Sequence, residues 1–203
     1  LDLIEMNLEN IRENVRKACN ESGRDPNEVN LLAVSKNQSV EAIKHAFHLG
    51  HENFGENYLQ EAREKINHVP SASWHFIGAV QSNKTKEIAN NFNWIHSVDS
   101  ERLAKRLSEQ REPEKGKLNV LIQVNTSEEP QKRGVPPEQV CILARKISRF
   151  SNISLAGLMT IPARNHNDNL VCNCFRNLRQ IREQVTNHLD LEKNLHLSMG
   201  MSN

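Results

Sequence analysis

The sequence lacks the features of a membrane, secreted or nucleic-acid-binding protein. No apolar run approaches the roughly 18 residues that a membrane span needs, and the first residues include acids where a signal peptide carries bases. The 26 Lys and Arg residues nearly balance the 25 Asp and Glu residues, which leaves a net charge of +1 and no strong field that would attract nucleic acid. We therefore expect a cytoplasmic protein with neither a membrane nor a nucleic-acid partner.

The sequence also lacks a recognisable metal site. Its four cysteines are expected to be free thiols in the cytosol. Cys172 and Cys174 are two residues apart in a helical pattern, where such positions point to different sides, and only Cys174 continues the apolar stripe. His45, His48 and His51 recur every three residues, but the third lies beyond the glycine that ends the helix. We interpret them as a solvated edge, because zinc sites use other spacings and more ligands.

Segments typical of strands and helices alternate along the chain. An apolar stripe predicts a first helix that ends before Gly23 and Pro26. Seven strands are then predicted, most of them followed by a helix; they span residues 31–36, 53–56, 74–78, 94–98, 118–125, 155–161 and 195–199. This alternation indicates a parallel sheet, either doubly wound or closed into a (β/α)8 barrel. Since the glycine motifs of nucleotide-binding sheets are absent, we predict a single TIM-type barrel domain over residues 1–203, one β/α unit short of eight.

Several polar residues mark helix starts. Ser39 and Ser100 are predicted N-caps, and Asp168 is predicted to cap the helix that follows it. Asn57 and Gln60 have the spacing of a capping box.

Candidate functional residues gather where the predicted strands end, because barrels carry their chemistry at the carboxyl ends of the strands. These positions hold Lys36, Glu56, Asn57, His75, Gly78, Asn125, Met159, Thr160, Ser198, Met199 and Gly200. Lys36 follows an apolar run that predicts a strand buried on both faces. Taken alone, it marks the point where that strand reaches water; at a barrel mouth, a lysine amine is suited to form a Schiff base. Ser198 and Gly200 suit a phosphate group, and a lysine imine with a phosphate cradle is what a pyridoxal phosphate site needs.

Some of these residues also have a simple structural explanation. His75 and His196 lie within predicted strands, where a hydrogen-bonded core histidine is the more common state. Met159 and Met199 are most simply packing residues. Lys84 could serve as a second lysine of the site, but it lies at the start of a charged helix and is predicted to be at the surface.

Five groups of residues occur in an order that resembles a known family. They are LAVSK at 32–36, FGENY at 54–58, WHFIG with QSNK between 74 and 84, GLMTIP at 157–162 and LSMGMS at 197–202. Together they resemble the pyridoxal phosphate homeostasis proteins, also called the YggS or PROSC family. The resemblance extends over essentially the whole chain.

The resemblance implies a barrel of the alanine-racemase N-terminal type that binds pyridoxal phosphate. Lys36 matches the lysine that forms a Schiff base with the cofactor, and Asn57 matches a residue that lines it. Ser198 and the Gly200 backbone match part of the phosphate cradle, and Met159 and His75 complete our list of candidate cofactor-binding residues.

The family also implies a function without established catalysis. Its members are thought to bind, buffer and deliver pyridoxal phosphate, with apo forms of cofactor-dependent enzymes as candidate recipients. The alternative is a small amino-acid racemase, but racemases of this type take a second base, a tyrosine, from an additional β-domain, and Tyr58 is the one tyrosine here. The mixed-charge surface fits a monomer or a weak dimer.

The chain departs from the family pattern in three places. Ala79-Val80 replace a common Pro-Leu, and Asn37-Gln38 replace a common Thr-Lys. Relatives also continue for about one more β/α unit, which supplies an arginine facing the pyridine nitrogen and further phosphate donors. We expect the eighth unit to be missing from this sequence and the domain to be incomplete at its C-terminal side.

Overall fold

Helices and strands alternate along the chain as the sequence predicts. The computed structural model describes residues 2–127, 132–162, 168–191 and 195–200. It consists of two compact units, the first ending at His75 and the second beginning at Phe76.

The described part of the first unit contains three α-helices and the first three strands. The elements are α1 (Leu3–Glu21), β1 (Ala33–Val34), α2 (Val40–His48), β2 (Asn53–Glu56), α3 (Leu59–His68) and β3 (Ser73–Phe76), whose last residue belongs to the second unit. β1 runs parallel to β2, with Ala33 beside Phe54 and Val34 beside Gly55. The Phe54 and Trp74 rings, both almost fully buried, pack with their centroids 5.4 Å apart. The core of this unit therefore lies under β2 and β3.

Over its described residues, the second unit contains four α-helices and four strands. The elements are α4 (Thr85–Asn91), β4 (Trp94–Val98), α5 (Glu101–Gln110), β5 (Leu118–Gln123), α6 (Val140–Ile147), β6 (Ile153–Met159), α7 (Asp168–His188) and β7 (His196–Ser198). Neighbouring strands from β4 to β7 are parallel and follow chain order. Apolar side chains of β4, β5 and β6 form the core. Most residues of β4 and β5 are buried, and β6 is buried at Ile153 and at its last three residues.

All seven predicted strands are present, but β1 differs from the prediction. It is two residues long, and the Val34 side chain is 49% exposed, so the prediction of a strand buried on both faces is wrong. The reason is that β1 is the first strand in the sheet order and pairs with β2 alone among the described residues. The side chain of Val34 therefore lacks the cover that a central strand receives.

Two of the predicted helix caps are confirmed and one is wrong. Ser39 accepts a hydrogen bond from the Ala42 N–H and Ser100 accepts one from the Leu103 N–H. The capping box of Asn57 does not form, because α3 begins one residue later, with Tyr58 at the N-cap position and no side-chain cap bond. Asp168, predicted as a cap, is the first residue of α7.

The predictions for the cysteines are confirmed, whereas those for two histidines, His51 and His196, are wrong. All four cysteines are free, with Cys174 buried and Cys172 exposed as predicted. His51 is buried rather than solvated, because its Nε2 lies 2.8 Å from the Asn53 carbonyl oxygen and its ring packs against Phe54. That burial lowers the pKa of His51. His196 is exposed rather than in the core, and its ring packs edge-on against Trp94.

Two absences hold for the part of the chain that the structure describes. No group of three or more His, Cys, Asp or Glu side chains there is placed to hold a metal ion. None of the helices described is both long and apolar enough to span a bilayer.

Gly157 allows β6 and β7 to lie close together, which generates a first prediction. A Cβ atom at this position would lie 2.1 Å from the His196 carbonyl oxygen and 2.7 Å from Leu121 Cδ2. We expect Gly157→Ala to lower the free energy of unfolding by about 2 kcal/mol, because the neighbouring backbone must move. Urea unfolding measures this change. Ser154→Ala, in the same strand, is the control and should change stability by less than about 0.5 kcal/mol; equal effects of the two would contradict the explanation.

Candidate functional site

The candidate residues lie at or just beyond the ends of strands in both units. In the first unit, Lys36 lies two residues after β1 and Asn57 directly follows β2. In the second unit, Met159 and Ser198 are the last residues of β6 and β7, and Gly200 follows shortly after. His75 lies inside β3.

Lys36 is a half-buried lysine whose amine is available. Among the described residues its Nζ makes no hydrogen bond and no ion pair. Its two chain neighbours, in contrast, are both held in place. The Ser35 N–H donates to the Gly55 carbonyl oxygen at 2.9 Å, and the Asn37 N–H donates to Glu61 Oε1 at 2.5 Å.

A buried group of charged side chains lies beside this segment, and we call Lys65, Glu56, Glu61 and Ser35 the Lys65 cluster. Lys65 is 2% exposed, and its ammonium donates to Glu56 Oε1 at 2.7 Å and to Glu61 Oε1 at 2.5 Å. Its third hydrogen bond, at 2.6 Å, goes to the Ser35 carbonyl oxygen. The Ser35 hydroxyl donates to Glu56 Oε1 at 2.6 Å. The buried ammonium therefore has a partner for each of its three donors.

Sequence reasoning found Glu56 at a strand end but missed its partners. Glu61 and Lys65 are four residues apart on α3, which is a spacing typical of a surface ion pair. That spacing was the available signal, but it does not show that Lys65 is buried. The burial arises from Glu56 and Ser35, which reach Lys65 from the ends of other elements.

Two buried oxygens at the end of β2 have no hydrogen-bond partner among the described residues. They are Oε2 of Glu56, a residue with no exposed surface, and Oδ1 of Asn57. A buried acceptor without a donor costs about 1–3 kcal/mol, so such an atom calls for an explanation. The Asn57 oxygen fits a ligand that brings its own N–H or O–H donor to this position.

His75 is a hydrogen-bonded core residue, as the sequence predicts. It is 9% exposed, and its Nε2 lies 3.2 Å from Ser73 Oγ and 3.4 Å from Asn53 Oδ1. These contacts account for its burial without a cofactor, and its part in cofactor binding stays a prediction.

In the second unit, Ser198 is surrounded by neutral polar groups. Its Oγ lies 2.8 Å from Nδ1 of His96, and its carbonyl oxygen accepts a hydrogen bond from the Thr160 N–H at 3.1 Å. The Thr160 hydroxyl, 2.8 Å from that of Thr126, donates to the Val124 carbonyl oxygen. Burial lowers the pKa of His96 to about 4, so this histidine is neutral at pH 7. Sequence reasoning missed His96, which looks like any polar residue inside a strand.

The remaining candidates have mixed outcomes. Met159, 3% exposed and paired in register with Ser198, is a packing residue as predicted, whereas Met199 is 41% exposed and not packed. Gly200 has a φ of +113°, which favours glycine, and no heavy atom of the described residues other than its chain neighbours lies within 4 Å of the position of an added Cβ. Lys84 is exposed, as predicted. Met201 and Ser202, the end of the last motif, lie outside the described residues.

The two sets of residues suit different chemical groups. The first unit offers an amine that has no partner among the described residues, next to fixed backbone, which suits a carbonyl carbon. The second offers a hydroxyl at a strand end, followed by a glycine backbone that is open to solvent, which suits an anion such as phosphate.

Removing the charge of Lys65 should destabilise the protein strongly. We expect Lys65→Met to lower the free energy of unfolding by about 3–5 kcal/mol, because it leaves the Glu56 carboxylate buried without a cation. Chemical denaturation measures this change. Lys17→Met, at an exposed position on α1, is the control and should change stability by less than about 0.5 kcal/mol. A loss of under about 1 kcal/mol for Lys65→Met would contradict the burial of the ion pair.

His96 should make stability depend on pH. Its pKa is about 4 in the folded protein and about 6.5 in the unfolded chain, so the unfolded chain binds more protons between these values. The stability that neutral His96 contributes is full above pH 6.5 and decreases by up to about 3 kcal/mol as the pH falls to 4. We expect His96→Gln to lose this part of the pH dependence in urea unfolding at a series of pH values. His68→Gln, at an exposed position, should keep it; identical pH profiles for all three proteins would contradict the assignment.

Comparison with known proteins places the chain in a family. Residues 6–203 match the alanine racemase N-terminal domain. The chain is 43% identical over 203 residues to the pyridoxal phosphate homeostasis protein of Haemophilus influenzae, an alignment that covers 98% of this chain and 86% of the relative.

Two solved structures are similar in fold. The structure of PipY from Synechococcus elongatus PCC7942 with PLP bound has a TM-score of 0.80 at 30% identity and covers 93% of this chain and 89% of that one. An alanine racemase from Clostridium difficile has a TM-score of 0.78 at 14% identity, with 98% of this chain matching 50% of the racemase, and shows likeness of fold alone. The chain thus belongs to the family of the alanine racemase N-terminal domain and, within it, to the pyridoxal phosphate homeostasis proteins.

Proposed function

We propose that this protein binds pyridoxal phosphate through Lys36 and serves in the homeostasis of that cofactor, by binding, buffering and delivering it. The observation that carries the proposal is the Lys36 amine, which is half-buried and makes no hydrogen bond or ion pair with the described residues. The relatives support it, since the Haemophilus influenzae protein is named for pyridoxal phosphate homeostasis and the PipY structure has PLP bound.

The residues present fit the parts of the cofactor. Pyridoxal phosphate supplies an aldehyde, with which a lysine amine forms a Schiff base. We propose that Lys36 provides that amine and that Asn57 Oδ1, which lacks a donor among the described residues, accepts a hydrogen bond from the cofactor. Ser198 and the backbone of Gly200 are our candidates for holding the phosphate. Met159 and His75 complete the proposed cofactor-binding set.

We propose binding without catalysis. A racemase needs a base on each face of the bound amino acid, and Tyr58, the one tyrosine of the chain, is 61% exposed at the start of α3. The likeness to alanine racemase extends over half of that enzyme and concerns the fold. No specific contact of the described residues favours the racemase alternative.

We also propose the architecture, the recipients, the compartment and the oligomeric state that go with this function. The family match spans both units, which supports one (β/α)8-type barrel domain as the architecture. The recipients of the cofactor would be apo forms of enzymes that depend on it, and the working compartment would be the cytoplasm. We propose a monomer or weak dimer as the working form.

Adding pyridoxal phosphate to the purified protein tests the function. We expect a visible Schiff-base absorbance that saturates with cofactor concentration, that is lost in Lys36→Ala and that is kept in Lys84→Ala, where an exposed lysine is removed. The outcome that would contradict the proposal is the same titration curve for Lys36→Ala and the wild type. Incubation with L-amino acids should give no racemisation, and a turnover near the 1–10 per second of ordinary enzymes would overturn the assignment as a carrier.

A further inference from the structure

We propose that the Lys65 cluster positions the Lys36 amine for the cofactor, with Glu61 as the positioning residue that fixes the backbone after it. This inference rests on the proposed function, because it concerns the same lysine. Neither Lys65 nor Glu61 bears the reacting amine. Both act through the backbone of residues 35–37.

The contacts hold the chain on each side of Lys36. Before it, the Ser35 carbonyl oxygen accepts from the Lys65 ammonium, and the Ser35 hydroxyl donates to Glu56. After it, the Asn37 N–H donates to Glu61 Oε1 at 2.5 Å. The Lys36 side chain is left out of this network. The backbone of Lys36 is therefore held on both sides, while its amine stays available.

The backbone conformation of the turn after Lys36 needs stabilising contacts. Asn37 has a φ of +62°, in the left-handed region that side chains other than glycine seldom adopt. That conformation costs roughly 1 kcal/mol for an ordinary residue, and the surrounding structure must compensate for it. The hydrogen bond from the Asn37 N–H to Glu61 is a direct compensation, and it is a bond to a charged acceptor.

Glu61 can be substituted without disturbing the buried core, so its effect on the Lys36 segment can be measured separately. Lys65 and Glu56 are almost fully buried, and a pair of this kind is often replaceable by apolar residues without loss of stability. The Glu61 side chain is 27% exposed, so its carboxylate is not needed to fill the core. Glu61 Oε1 accepts a hydrogen bond from the Asn37 N–H as well as from the Lys65 ammonium. It therefore links the buried ion pair to the segment that carries the amine.

The test uses Glu61→Ala, with Glu61→Gln as the conservative variant and Glu64→Ala as a control that removes a carboxylate from an exposed position on the same helix. In the apo protein, amide hydrogen exchange at Asn37 should be about tenfold faster in Glu61→Ala than in the wild type. The glutamine variant retains an acceptor oxygen and should exchange at close to the wild-type rate. The Glu64 variant should match the wild type.

The second measurement is the reactivity of Lys36. In Glu61→Ala, the rate of bond formation between Lys36 and pyridoxal phosphate should fall about tenfold or more. The reason is that an amine on a less fixed backbone spends less time in the orientation needed to attack the aldehyde carbon of the bound cofactor. Reductive methylation of Lys36 by formaldehyde, read by peptide mass spectrometry, should stay within about twofold of the wild-type rate, because this small aldehyde approaches from any direction. Folding is checked by thermal unfolding of each variant.

The outcomes separate the two proposals. Unchanged Asn37 exchange in Glu61→Ala overturns the inference, as does an equal decrease of both Lys36 reactions, which would indicate a general structural loss. If wild-type protein forms no bond with pyridoxal phosphate at Lys36, the proposed function fails, and the exchange rates still decide whether Glu61 holds the backbone.

Discussion

In the first unit, the buried ammonium of Lys65 is the interaction on which the arrangement around Lys36 depends. The Lys65 ammonium joins the last residue of β2, a side chain of α3 and the segment that follows β1, through three hydrogen bonds of 2.5 to 2.7 Å. Such a pair is costly to bury and costlier to break, because either charge left alone in the interior lacks the solvation that it has in water. The consequence is local rigidity at the place where Lys36 leaves the strand. A free amine on a fixed backbone is the arrangement that a covalently bound aldehyde cofactor requires.

The candidate phosphate residues of the second unit are held by neutral groups instead. Ser198 lies at the end of β7 beside His96, and Thr160 binds the Ser198 carbonyl oxygen through its backbone N–H. Since burial lowers the pKa of His96 to about 4, the histidine contributes no positive charge at pH 7. Hydroxyl and backbone donors would therefore carry the binding of an anion here. This arrangement suits a carrier, because moderate binding permits release.

The sequence predicts the order of elements well because local signals define them. β2 and β4 have the predicted bounds, since Gly50 ends the helix before β2 and Ser100 caps the helix after β4. The buried character of β1 was wrong, because an apolar run does not show whether a strand has one neighbour or two. The prediction for His196 failed for a similar reason, since β7 pairs with β6 alone among the described residues.

The candidate site was predictable as a set of strand-end positions but not as a network of hydrogen bonds. Lys36, Asn57 and Ser198 follow from strand ends and from the family motifs. Lys65 could not be identified, because a lysine four residues after a glutamate on a helix resembles a surface residue. Its burial depends on Ser35, thirty positions earlier in the chain, which no local pattern reveals. The same limit hid His96, whose contact with Ser198 spans 102 positions.

The central claim is that Lys36, and no other lysine, forms the covalent bond to pyridoxal phosphate. Its most direct test is to incubate the wild-type protein with the cofactor, reduce it with borohydride and map the modified peptides by mass spectrometry. We expect one pyridoxyl group, on Lys36, with Lys65 unmodified because all its donors are engaged. A pyridoxyl group on Lys65, or one spread over the exposed lysines with Lys36 unmodified, would contradict it.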